Sequence, residues 1–228
     1  MKIDVLYEDN HILILNKSSG IPVQKDSSND ISLYEIAKDY IKTKYQKKND
    51  AFLGLVHRID RPVSGCVTFA KTSKSLKRLN DMFKKNLIKK TYLAIVCGIS
   101  LKKSETLEHW LLKKPKINKS FAFLKYVEKS KKAYLHYENI YRFENYTLLK
   151  IDLKTGRHHQ IRSQLSKIGY PIKGDLKYGS KRSNKNKSIS LHSRSIELIH
   201  PVKKNKLLIK ANLPKYDLWN ALPSYLDV

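Results

Sequence analysis

At 228 residues, with 41% hydrophobic and 10% aromatic side chains, the chain is long enough to bury a core and too apolar to be disordered. It carries 46 Lys+Arg against 20 Asp+Glu, a formal net charge of +26, which fits a polyanionic partner, nucleic acid or an anionic membrane, although lysine spread through every segment also fits a biased genome. No strongly basic amphipathic helix with a Trp/Phe/Leu face stands out, no apolar run is long enough to span a bilayer, and Met1-Lys2-Ile3-Asp4 is no signal peptide; RNA or DNA in the cytoplasm is expected. Cys66 and Cys97 lack metal-ligand spacing and read as buried, reduced thiols.

In chain order, Ile3–Tyr7 and His11–Asn16 alternate around Glu8-Asp9-Asn10 and predict a hairpin. From Ile31 to about Tyr45, Leu33, Ile36, Ala37, Tyr40 and Ile41 recur at helical spacing. Cys66–Ala70 is a short run of strand formers. A second helix is expected after Thr72 or Ser73, natural N-caps, with Leu76, Leu79, Met82 and Phe83 on one face. Lys90–Gly98 predicts a strand, and Glu105–Asp152 three to five more, among them Ala133–Ile140 and Thr147–Leu153. A helix is expected at about His158–Ile168, closed by Gly169. Lys177–Lys187, rich in lysine and serine, reads as a mobile loop that either faces solvent or touches RNA. Strands near Ser190–Ile199 and Lys206–Asn212 finish the pattern. With no repeat and no Gly/Ser linker, residues 1–228 are expected to form one α+β domain, a mixed, largely antiparallel sheet flanked by helices and loops.

One acid sits inside a basic run, Leu55-Val56-His57-Arg58-Ile59-Asp60-Arg61-Pro62-Val63-Ser64-Gly65. An acid between two arginines, as in Arg58-Ile59-Asp60-Arg61, is most often a salt bridge on a turn; the sharper reading is a carboxylate kept ionised by guanidinium neighbours and facing a polyanionic substrate. His57, His158 and His159 invite a metal reading, but adjacent histidines on a helix point about 100° apart and chelate poorly. No metal is expected.

The run around Asp60 resembles the signature of the RluA-type pseudouridine synthases. Further stretches agree in order: Leu15-Asn16-Lys17-Ser18-Ser19-Gly20-Ile21-Pro22-Val23, Lys90-Thr91-Tyr92-Leu93-Ala94-Ile95-Val96-Cys97-Gly98, and Thr155-Gly156-Arg157-His158-His159-Gln160-Ile161-Arg162. Gly169–Asp175, Tyr178-Gly179, Leu191-His192-Ser193 and His200-Pro201 complete the pattern. Ser18 stands where the family usually has proline and Val63 where it usually has threonine; both shape loops. The resemblance implies the pseudouridine synthase catalytic fold as a minimal core, without an S4-like RNA-binding domain at its N-terminus.

It also implies a reaction. Converting uridine to pseudouridine breaks C1′–N1, rotates the base and joins C5 to C1′; this isomerisation needs no redox or energy cofactor. By the resemblance Asp60 is the essential acid, able either to attack C1′ or to take a proton from the sugar. Arg162 pairs with it and would hold its pKa down. Tyr92 stacks on the uracil and handles the C5 proton. Arg58 fills the gap left by the flipped nucleotide, while His57, Arg157, His159 and Gln160 organise or bind substrate. Ribosomal or transfer RNA is the expected partner and a monomer the simpler state. Two alternatives stay open on sequence grounds: a catalytically silent RNA-binding protein of the same fold, and a nucleoside hydrolase, for which no second carboxylate is evident near the motifs.

Overall fold

The computed structural model describes residues 3–26, 28–46, 48–99, 101–224 and 226. The strands and helices, in chain order, are β1 (Val5–Glu8), β2 (Ile12–Lys17), α1 (Leu33–Lys44), β3 (Gly54–Leu55), β4 (Ser64–Ala70), α2 (Ser73–Lys84) and β5 (Lys89–Cys97). Then come β6 (Ser104–Lys114), β7 (Lys119–Phe123), β8 (Lys131–Arg142), β9 (Tyr146–Leu153), α3 (Gln160–Lys167), β10 (Leu191–Ile199) and β11 (Lys206–Lys210). The architecture is α+β, with mixed, largely antiparallel sheet. Among the described residues no helix is long and apolar enough to cross a membrane.

Local chemistry explains the helix boundaries. α1 starts at Leu33 and not at Ile31, because Ser32 is its cap. The Ser32 hydroxyl accepts from the Glu35 N–H at 3.3 Å, and the Glu35 carboxylate accepts from the Ser32 N–H at 2.9 Å. Ile31 is left 65% exposed outside the helix, while Leu33, Ala37 and Ile41 are buried. Thr72 caps α2 through its hydroxyl, which accepts from the Ser75 N–H at 3.1 Å. α3 is shorter than its spacing predicts: His159 adopts φ +50°, a left-handed conformation that a helix interior cannot contain, so the helix begins at Gln160.

The chain divides into two compact units, Met1–Ile88 with Ser193–Val228, and Lys89–His192. In the first, β1 pairs with β2, β2 and β3 with β4, and β11 with β10, all antiparallel; β4 and β10 are also neighbours. Its core joins Ile12, Ile14, Cys66, Ala70, Leu79, Ile196 and Leu198. Close passage of β4 past Ser193 explains Gly65: its φ is +111°, and a Cβ there would lie 2.2 Å from the Ser193 carbonyl oxygen. Cys66 is a free thiol whose pKa burial pushes up to about 12.

The second unit is built on an antiparallel sheet ordered β5-β9-β8-β6-β7. α3 packs on β6 and β7, where Gln164 Nε2 donates to the Leu107 and Ala133 carbonyls at 3.2 and 3.3 Å. The segment 177–187 is mostly exposed, as its composition suggests, but it is anchored by buried polar residues within and beside it. Asn184, Ser180 and Ser188 are buried; Asn184 accepts from Lys173 Nζ at 2.8 Å, and its amide donates to Ser190 at 3.2 Å. Lys181, Lys185 and Lys187 stay exposed on this anchored frame.

Candidate active site

In the first unit, Asp60 sits at the entrance to a turn closed by the Val63 N–H donating to the Asp60 carbonyl at 3.0 Å. The turn is held from below by Lys17. This lysine is fully buried, and its ammonium donates to the carbonyls of Ser18 (2.9 Å), Ile21 (2.8 Å) and Arg61 (3.0 Å). One side chain thus ties the 18–21 loop to the residue after Asp60. Burial draws the Lys17 pKa down to about 7, while the neighbouring Asp60 carboxylate pushes it up and Arg61 lowers it.

Arg61 braces the same loop from above. Its Nε donates to the Gly20 carbonyl at 2.9 Å and its Nη2 to Asp30, with Asp26 3.9 Å from Nη1. The Gly20 N–H returns a bond to the Arg61 carbonyl at 2.8 Å. Arg61, one of the guanidinium neighbours of Asp60 in sequence, is therefore engaged with two other acids. Arg58, on the same loop, is exposed. His57 is a strut: its Nε2 accepts from the Thr68 N–H at 3.0 Å and its ring stacks on Phe83 with centroids 4.9 Å apart.

In the second unit, Tyr92 lies buried on β5 opposite Ile151 of β9. The turn before α3 brings Arg157, His159, Gln160 and Arg162 together. The Gln160 amide oxygen accepts from Thr155 Oγ1 (2.8 Å) and the Arg157 N–H (3.0 Å), and its Nε2 donates to the Tyr134 carbonyl (3.0 Å), stapling the turn to β8. Arg157 Nε donates to the Lys132 carbonyl at 3.1 Å.

Arg162 is buried, and it makes a two-point pair with Asp175, Nε to Oδ2 at 2.7 Å and Nη2 to Oδ1 at 2.9 Å. Its guanidinium carbon also lies 4.9 Å from the centre of the Tyr178 ring. The Tyr178 hydroxyl accepts from the Ser120 N–H at 2.8 Å and lies 2.9 Å from His159 Nδ1. His159 is neutral: burial first, then the charge of Arg162, takes its pKa down to about 2. Neither Asp175 nor Tyr178 carries a role in the sequence reading; the signal was their place in the stretch Gly169–Gly179, which surrounds the end of α3.

The two adjacent histidines do not diverge as they would on a helix. Because His159 is left-handed, the rings stack with centroids 3.8 Å apart. His158 is held by Ser120 Oγ at Nδ1 (2.8 Å) and by Asn118 Oδ1 at Nε2 (3.0 Å). Among the described residues no group of three or more His, Cys, Asp or Glu is placed to hold a metal ion.

Residues 11–167 match the family model described as RNA pseudouridylate synthase, a stretch that includes Asp60, Tyr92 and Arg162. The chain belongs to this family. Among curated relatives, the ribosomal large subunit pseudouridine synthase C of Buchnera aphidicola from Acyrthosiphon pisum is 38% identical over 92% of this chain and 67% of its own length. The protein of the same name in Vibrio cholerae is 31% identical over 92% of this chain and 65% of the relative. The chain thus spans about two thirds of the length of these ribosomal relatives. The tRNA pseudouridine synthase C of Haemophilus ducreyi is 28% identical over 93% of this chain and 92% of its own. The human RNA pseudouridylate synthase domain containing 4 and 1 structures superpose with TM-scores of 0.77 at 20% and 19% identity. They cover 93% and 96% of this chain and 89% and 87% of theirs, and they share the pseudouridylate synthase fold.

Proposed function

We propose that this RNA pseudouridylate synthase isomerises particular uridines in structured ribosomal or transfer RNA, flipping the target nucleotide out of its stack and using no cofactor. One observation carries the reading: Asp60, inside the family match, stands on a turn fixed by Lys17 from below and Arg61 from above. An acid in a chain of net charge +26 that is braced this closely is a reactive group held for use. In this reading Asp60 supplies the carboxylate, Tyr92 stacks on the uracil, and Arg162 is the guanidinium that the family pairs with the acid. Arg58 enters the gap left by the base, with His57, Arg157, His159 and Gln160 shaping the surroundings. Residues 1–228 work as a single catalytic domain and a monomer in the cytoplasm; the family match, which runs through residues of both compact units, supports the single domain.

The test is a pseudouridine map of total RNA from cells with and without the gene, repeated with Asp60→Asn. Loss of the same sites in the deletion and the variant is expected. A map identical in all strains would remove the enzyme reading and leave a silent RNA-binding protein.

A further inference from the structure

The sheet of the second unit has two unlike faces. Toward α3 it presents Leu111, Ala122 and Ala133, a buried apolar cluster, together with His109 and Ser120. The alternation of the strands turns Trp110, Leu112 and Lys114 of β6, and Lys119, Phe121 and Phe123 of β7, to the opposite side. There Trp110 is opposite Phe123 and Leu112 opposite Phe121, so the apolar groups lie in neighbouring rows. This face has no helix of its own unit on it, because α3, the unit's α-helix among the described residues, lies on the other.

Its rings are accessible and surrounded by cations. Trp110 and Phe121 are half-buried, and Tyr126, 62% exposed, packs edge-on against Trp110 at 5.1 Å. The ammonium groups of Lys114 and Lys119 lie 5.3 and 5.5 Å from the Phe121 ring centre, and Lys132 lies 5.3 Å from that of Trp110. Residues 110–134 contain eight lysines and a single acid, Glu128.

We propose that this face is a second RNA-contacting surface, on which unpaired nucleotides of the substrate RNA stack on Trp110, Phe121 and Tyr126 while Lys114, Lys119 and Lys132 neutralise their phosphates. The proposal rests on the reading of the substrate as RNA. Open sheet faces with aromatic rows suit this ligand because every base has a stacking surface, and lysine lining suits its backbone. Glu108, on the same side of β6, pairs with Lys132 at 2.9 Å, and the remaining excess of lysine favours a polyanion. Strands whose lysines stand over aromatic rings match splayed bases better than a bilayer, which recruits amphipathic helices.

The experiment uses the full chain and a short oligouridylate. Trp219 is buried at 4% exposure, so quenching of tryptophan emission reports on Trp110, with Trp110→Phe as the control that removes it. Phe121→Ala and Tyr126→Ala should each weaken binding roughly ten-fold. Lys114→Ala and Lys132→Ala, at exposed positions that do not threaten folding, should each reduce the slope of log affinity against log salt by roughly 0.7. Photocrosslinks from the oligouridylate should fall within residues 110–134. Isomerisation of a minimal stem-loop should be unchanged in all four variants, which separates failure of this surface from failure of the enzyme reading. Unchanged affinity and salt slope, crosslinks only elsewhere, or binding of phosphatidylserine vesicles in place of the oligonucleotide would each overturn the proposal.

Discussion

Arg162 and Asp175, thirteen positions apart, form a buried pair in which two guanidinium nitrogens meet two carboxylate oxygens, at 2.7 and 2.9 Å. Asp175 holds the arginine's fork in one plane and Tyr178 lies against its face, so the guanidinium has a fixed direction before any substrate arrives. A Lys at position 162 would keep the charge and lose that direction.

Asp175→Ala leaves a buried guanidinium without this partner and should cost about 3 kcal/mol of stability in urea titrations. Turnover should fall along with it, at unchanged RNA affinity. Asp175→Glu should restore part of both. Full activity in Asp175→Ala at a temperature where it is folded would show that Arg162 needs no such support.

Much of the fold is legible in the sequence, and the failures share a cause. The capping pair Ser32 and Glu35, the hydroxyl of Thr72 and the apolar run of β5 are local signals, and each element stands within two residues of its expected place. α3 also begins within two residues of its expected place, and its two-residue delay arises because nothing in the residue type His159 announces a left-handed backbone. In the largely exposed 177–187 segment, what the composition does not announce is the anchoring: Ser180 accepts from the Gly174 N–H, and Asn184 bonds Lys173 and Ser190, six to eleven positions away. The neighbours of Asp60 are legible, but not their directions: Arg61 turns to Gly20 and Asp30, and the residue beneath the turn is Lys17, forty-four positions away from Arg61.

That distant contact supplies a second prediction. Lys17→Met keeps the length and apolar stem of the side chain but removes the donor shared by Ser18, Ile21 and Arg61. The Ser18 and Ile21 carbonyls would lose this donor while the Arg61 carbonyl keeps the Gly20 N–H, which should lower stability by about 1–3 kcal/mol and loosen the tie between the Asp60 turn and the 18–21 loop. Denaturant midpoints measure the first effect and turnover the second. A variant as stable and active as the parent would remove Lys17 from the scaffold of the site.

Acid should weaken the first unit through Glu8. Burial of this carboxylate would raise its pKa, but bonds from Lys44, Lys71, Tyr45 and Tyr40, at 2.6 to 2.8 Å, outweigh it and hold the pKa at about 2, against 4.5 for an unperturbed glutamate. A carboxylate depressed on folding contributes stability that is present above the unfolded value of 4.5 and lost as pH falls toward 2. Urea midpoints should therefore drop across that window, and Glu8→Gln should flatten the drop while lowering stability at neutral pH. An acid limb of the same steepness in Glu8→Gln would assign the effect elsewhere.

The last prediction concerns Gly65, five residues after Asp60. Two penalties coincide there, since its φ of +111° is strained for any side chain and the added carbon would sit 2.2 Å from the Ser193 carbonyl oxygen. The clash is with backbone, which cannot swing aside as a flexible side chain would, so β4 or the strand carrying Ser193 must shift. Gly65→Ala should therefore destabilise the chain by more than the roughly 1 kcal/mol expected from backbone freedom alone. It should also reduce turnover, because Ser64 and Gly65 open the strand that leaves the Asp60 turn. Gly169→Ala is the control. Its φ is +89° but nothing lies within 4 Å of the added carbon, so it carries the conformational cost without the clash. Equal losses in the two variants would mean that strain, and not the approach of Ser193, dictates glycine at position 65.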